Sequence, residues 1–239
     1  MSGPITWGVL ALPVALAGGM FCPAVASAYA QRIDAGSTVD VTALAHAIAD
    51  ALRRRPGEPS GGPSRWLAAG CAVALALACL PFMLQPSMLF AARALACGVL
   101  LLLALIDART GLLPDALTLP LLCAGLMLAW AGLGPTLQDA AIAAGTAYLL
   151  LCGLNVGFRL WRGRAGLGGG DVKLVAALGA WLGWAPLPIL LLAACVAGLM
   201  FAVSGAGGRS WRAPLAFGPF LAGAGALGLV GDPVVQFLF

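Results

Sequence analysis

Val99-Leu-Leu-Leu-Leu-Ala-Leu-Ile-Asp107 and Gly166-Leu-Gly-Gly-Gly-Asp171-Val-Lys-Leu174 are the two stretches that decide how this chain reads. In the first, an apolar run ends on a carboxylate. In the second, a carboxylate follows a run of glycines and opens a further apolar segment. Each acid therefore falls where a hydrophobic helix meets a polar loop. An ionisable side chain at such a depth is costly to keep, and two of them mark a functional site.

The surroundings of these stretches fix the class. Of 239 residues, 62% are hydrophobic and 9% charged, against about a quarter charged in an ordinary soluble domain. This composition is that of a membrane protein. About 20 apolar residues suffice to cross the hydrocarbon core, and the chain divides into runs of that order: 5–29, 66–83, 88–106, 116–133, 140–158, 172–184, 186–204 and 214–230. The expected fold is all-α, a polytopic bundle of about eight transmembrane helices in which the sixth run is the shortest. Ala28-Tyr-Ala30 resembles a signal-peptide cleavage site, but no basic segment precedes the first run, which reads as a spanning helix. Two parts follow: residues 1–65, the first span with its loop, and a membrane-embedded core over 66–239. Within the loop Gln31–Arg65, the pattern Val41, Leu44, Ala45, Ile48, Leu52 predicts a helix lying at the membrane surface, and Pro56 with the Gly-Pro-Ser stretch to Ser64 predicts a tether.

Charge placement is an independent test of that span count. Eight spans put the loops at 32–65, 109, 159–173 and 209–212 on one side, and these hold every Lys and Arg of the 13 except Arg93. By the positive-inside rule that side is cytoplasmic and both termini face outward. Arg93, inside the third span, is expected to snorkel or to cap a polar pocket. Basic residues confined to membrane-flanking loops give no indication of nucleic-acid binding. The seven cysteines lie in apolar segments without CxxC or Cys/His spacing and read as small core residues; no metal site or cofactor is expected.

With Asp107 and Asp171 both at the cytoplasmic boundary, apposition of spans three and six would let two carboxyl groups share one proton. Such a pair can activate a water against a peptide carbonyl and protonate the leaving amine. His46 is the lone histidine and lies in the first loop, so neither a Ser/His dyad nor an HExxH zinc site can be assembled. Plainer readings stand beside this one. Asp171 and Asp115 both suit helix N-caps, and for Asp115, after Pro114, the cap is preferred. Gly168, Gly169 and Gly170 serve either a turn or a close backbone approach to substrate. Lys173 is a positive-inside anchor that also favours an ionised Asp171. On residues alone, an aspartic protease and a transporter with a polar acidic pair both remain open.

A wider pattern narrows the choice. Ile106-Asp107-Ala-Arg-Thr-Gly-Leu-Leu-Pro114-Asp115-Ala-Leu-Thr118-Leu-Pro120-Leu-Leu122, then Gly168-Gly-Gly-Asp171-Val-Lys173-Leu174, Gly179-Ala-Trp181-Leu-Gly183 and Ala216-Phe217-Gly218-Pro219-Phe220 together resemble the type IV prepilin peptidases, membrane aspartic peptidases of the GxGD type. The resemblance runs from about Trp66 to Val230. It implies cleavage of basic leader peptides from prepilins or pseudopilins at the cytoplasmic face of the bacterial inner membrane. It places the catalytic aspartates at Asp107 and Asp171, with Asp115, Lys173 and Gly168 to Gly170 shaping the site. Many members also N-methylate the new N-terminus and bind zinc through paired CxxC motifs in the first loop. Gln31–Arg65 contains no cysteine, so no zinc site is expected there and a peptidase without methyl transfer is the more economical expectation.

Overall fold

The computed structural model of the chain describes residues 5–36, 40–53, 70–76, 88–163, 166–204 and 216–238. Among these the structure is all-helical: α1 (Ile5–Asp34), α2 (Val41–Arg53), α3 (described over 70–76), α4 (Met88–Thr110), α5 (Asp115–Trp130), α6 (Leu137–Arg162), α7 (Gly169–Leu182), α8 (Leu187–Val203) and α9 (Gly218–Leu238). A helix occurs within each apolar run, and α2 coincides with the amphipathic segment of the first loop. Two helical stretches, Ala91–Thr110 and Leu137–Arg162, are long and apolar enough to cross a membrane; α5, α8 and Gly218–Gly231 are shorter apolar helices. The tether over 56–64, the Gln85-Pro-Ser turn and the basic loop at Arg209 and Arg212 lie outside the described residues.

The helices sort into two compact units, 1–110 with 229–239 and 111–228. In the first, α1 packs on α2 and α4. Ala43, Leu44, Ala47 and Ala51 form the buried face of α2, and Arg32 Nη2 lies 2.6 Å from Asp50 Oδ2, pinning that helix to the end of α1. α1 meets α3 at Gly19, where a Cβ would stand 2.5 Å from the Ala72 Cα, so the absence of a side chain is what permits the backbones to approach.

In the second unit, α7 lies between α5 and α6. At about 1.5 Å per residue its 14 residues span roughly 21 Å. Every residue from Asp171 to Leu182 is buried except Lys173. Small residues make this enclosure possible. α6 presents the stripe Ala140, Ala143, Ala144, Ala147, and Gly179 of α7 lies so close that an added Cβ would be 3.0 Å from the Ala143 carbonyl carbon. α5 presents Thr118, Leu121, Gly125 and Ala129; the Trp181 indole crosses over Gly125 and donates to the Leu121 carbonyl at 2.8 Å. Gly183 ends α7 at φ 77°, a conformation that L side chains rarely adopt. The Gly179-Ala-Trp181-Leu-Gly183 pattern is thus a packing motif.

α8 shows why a membrane setting suits these helices. Its buried stripe is Leu187, Leu190, Ala194, Gly198, and its opposite face exposes Ile189, Leu192, Val196, Leu199, Met200 and Val203. In a water-soluble protein that outer face would be polar. Phe217 and Phe220, from the turn opening α9, pack toward Gly198, and the Phe201 and Phe220 rings lie 5.5 Å apart.

Candidate active site

Asp107 lies one turn from the end of α4, inside the helix and not in the loop after it. Ala96, Leu100 and Leu103 precede it at spacings of four, three and four, and all are buried. That is one stripe of an α-helix, so the Asp107 carboxylate occupies a core position, and it is 4% exposed. Two residues on, Arg109 Nη1 donates to the Pro23 carbonyl at 3.0 Å and Thr110 Oγ1 to that of Ile106 at 2.9 Å. These bonds secure the final turn of α4, the first of them against α1.

Asp171, 8% exposed, is the third residue of α7, whose N-cap is Gly168. The first turn of a helix carries amide N–H groups without intrahelical partners and so suits negative charge. The glycines before it are not there for an unusual turn, since none of Gly168, Gly169 and Gly170 has positive φ. Proximity demands glycine at one of them and makes a side chain tight at another. A Cβ on Gly170 would lie 2.6 Å from the Leu113 Cβ, and one on Gly168 would lie 3.0 Å from Asp171 Oδ2. Gly169 meets nothing within 4 Å. The carboxylate of Asp171 therefore sits back over Gly168, and the first turn of α7 sits against the segment leading into α5.

The preferred reading of Asp115 as an N-cap is corrected. Pro114 holds the cap position with extended dihedrals (φ −69°, ψ 128°) and no side-chain bond, and Asp115 is the first helical residue. Its two carboxylate oxygens accept from Lys173 Nζ at 2.7 and 2.6 Å. Lys173 is therefore more than a surface anchor; it ties the start of α5 to the first turns of α7. Nor is Asp171 the N-cap residue of α7, that position belonging to Gly168. Arg93 is 7% exposed, so it does not snorkel outward.

One organising residue gives no signal in the sequence. Asn155 of α6 accepts through Oδ1 from the amides of Gly166 (3.1 Å) and Leu167 (3.2 Å), and its Nδ2 donates to the Leu167 carbonyl at 3.0 Å. A lone Asn amid apolar residues has no spacing that points to a loop eleven residues on. Elsewhere on α6, an open groove of about 530 Å³ between Leu149 and Trp161 has no ionisable lining residue, so it offers no acid–base chemistry. Among the described residues no group of three or more His, Cys, Asp or Glu side chains is arranged to hold a metal ion.

Of the nine acidic residues in the chain, Asp107 and Asp171 are the two that are buried among the described residues. Both lie within the stretch 94–203, which matches the type IV leader peptidase family. A prepilin leader peptidase/N-methyltransferase of Dickeya chrysanthemi is 47% identical over 148 residues, 61% of this chain and 52% of that protein. Its counterpart in Burkholderia pseudomallei (strain 1026b) is 47% identical over 145 residues, 59% of this chain and 47% of that protein. That of Klebsiella pneumoniae is 52% identical over 97 residues, 41% and 42% of the two chains. The chain thus spans about half the length of the curated relatives it matches. No solved structure shows a significant match. Residues 94–203, a little under half of the chain, are thus what is similar to the type IV leader peptidase family.

Proposed function

We propose that this protein is a prepilin leader peptidase that removes basic leaders from type IV prepilins or pseudopilins by a two-aspartate mechanism. The observation that carries the proposal is the burial of Asp107 and Asp171, 4% and 8% exposed, in a chain only 9% charged. Burying a carboxyl group is costly, and such groups concentrate at sites where their protonation is used. The ionised aspartate takes a proton from water as the water oxygen bonds to the scissile carbonyl carbon. The protonated one gives its proton to the carbonyl oxygen, and as the C–N bond breaks the amine leaves with a proton returned through the pair. Asp115, Lys173, Gly168, Gly169 and Gly170 shape the site without reacting. No cofactor enters this scheme.

In this proposal the chain has eight spans, α1 and α3 to α9, in the bacterial inner membrane. The basic loops and both acids face the cytoplasm, residues 1–65 form the first span and its loop, and 66–239 form the peptidase core. A basic leader arriving from the cytoplasm would meet an acidic pair, and the hydrophobic helix behind the leader would lie in the bilayer. The relatives' name includes a second activity, N-methyl transfer. The cysteine-free loop Gln31–Arg65 lacks the zinc ligands that the family resemblance associates with bifunctional members, and the expected product carries no added methyl group.

The test is incubation of the purified protein, in detergent or liposomes, with a prepilin-like peptide, reading product masses by mass spectrometry. Cleavage between leader and hydrophobic helix supports the proposal. No cleavage by correctly folded protein, together with pH-driven solute flux in liposomes, would assign the acids to transport instead.

A further inference from the structure

The structure assigns Asn155 as a positioning residue for Asp171, an inference that rests on the peptidase reading above. The chain of contacts is short. Asn155 makes three hydrogen bonds of 3.0–3.2 Å to the backbone of Gly166 and Leu167. Leu167 is bonded directly to Gly168, the N-cap of α7, whose carbonyl accepts from the Val172 amide at 3.4 Å. The Asp171 carboxylate rests over the Gly168 Cα, where a single added carbon would lie 3.0 Å from Oδ2. Any shift of Leu167 therefore moves the floor beneath the carboxylate. Asp171 is already fixed on its far side by the enclosed body of α7, and the Asp115–Lys173 pair holds the next turn. The segment 166–168 before α7 is the side from which Asn155 acts. Gly166 and Gly168, which flank Leu167 ahead of α7, have no side chains with which to anchor that segment, and Asn155 supplies both an acceptor and a donor to it.

Two substitutions divide these bonds. Asn155→Ala removes all three, whereas Asn155→Asp keeps an oxygen to accept from the Gly166 and Leu167 amides. With a prepilin-like peptide as substrate, Asn155→Ala should lower kcat by about tenfold to a hundredfold, the scale on which misplacement of a reacting group acts, with KM changed by less than roughly threefold, because substrate contacts are untouched. Asn155→Asp, which keeps the two accepted bonds but sets an oxygen against the Leu167 carbonyl, should recover part of the loss. Wild-type kcat in Asn155→Ala, a change confined to KM, or no recovery in Asn155→Asp would overturn the assignment. Amide hydrogen exchange of the full chain in detergent separates this from the peptidase reading, since it needs no substrate. Loss of the bonds should speed exchange over 166–171 by roughly fivefold or more in Asn155→Ala and by less in Asn155→Asp, which keeps the two accepted bonds. Unchanged exchange would overturn the positioning role even if cleavage is confirmed. Localised acceleration would sustain it as an account of the loop even if wild type proves not to cleave.

Discussion

Gly125→Ala should loosen the contact between α5 and α7, and the structure sets the size of the effect. A Cβ at Gly125 would stand 2.7 Å from Trp181 Cδ1, 3.0 Å from Nε1 and 3.1 Å from the Ala180 carbonyl carbon. A flexible side chain would swing away, but Trp181 is 5% exposed and its indole is held to the Leu121 carbonyl at 2.8 Å. Forcing a methyl group into such a contact costs about 1–3 kcal/mol, and displacing the indole forfeits a hydrogen bond worth about 0.5–1.5 kcal/mol. Alanine regains about 1 kcal/mol over glycine in a helix interior. The net destabilisation expected is about 0.5–3.5 kcal/mol. It is measurable by circular dichroism during unfolding in mixed micelles of rising SDS fraction. Trp181→Leu vacates the space that the new methyl group needs, so the cost of Gly125→Ala should fall toward zero in that background. Unchanged stability in Gly125→Ala, or effects of the two substitutions that add within about 0.5 kcal/mol, would refute the idea that this close approach holds the two helices together.

The other expectations concern the ends of the same helices. Gly170→Val should impair both folding and cleavage, since the first carbon added already lies 2.6 Å from the Leu113 Cβ, whereas Gly169→Ala, with open space around it, should be tolerated in a parallel thermal-stability and cleavage assay. The Asp115–Lys173 pair has side chains 52% and 34% exposed, so a double-mutant cycle with Asp115→Asn and Lys173→Met should give a coupling of only about 0.2–1 kcal/mol, reduced by added salt. A coupling several times larger would mean that the pair is screened from solvent far more than its exposure indicates.

Much of this architecture was legible because apolar runs report helices directly. The runs ending at Ile106 and Phe158 coincide with α4 and α6, and the pattern from Val41 to Leu52 coincides with α2. Each helix continues past its apolar run where polar residues still bond within the helix: α4 extends through Asp107 to Thr110, and α6 to Arg162. What periodicity does not encode is the partner. Asp115 after Pro114 has the local look of a cap, and the residue that claims it, Lys173, stands 58 positions later in the chain. The enclosure of α7 on nearly every side was likewise hidden, because it depends on alanines and glycines of α5 and α6 whose smallness matters only once the helices meet. Asn155 belongs to the same class. Its role is defined by a loop that bends back to it, not by its neighbours in sequence.

The measurement that bears most directly on the central claim is cleavage of a prepilin-like peptide by wild type, Asp107→Asn, Asp171→Asn and Asp115→Asn, each purified from membranes and checked for folding. Asparagine keeps the shape of aspartate and removes its capacity to exchange a proton at the pH of the assay. The two-aspartate account predicts that the variants at 107 and 171 remain folded in the membrane fraction and lose cleavage, while the variant at 115 retains it. Cleavage retained by either Asp107→Asn or Asp171→Asn would contradict that account.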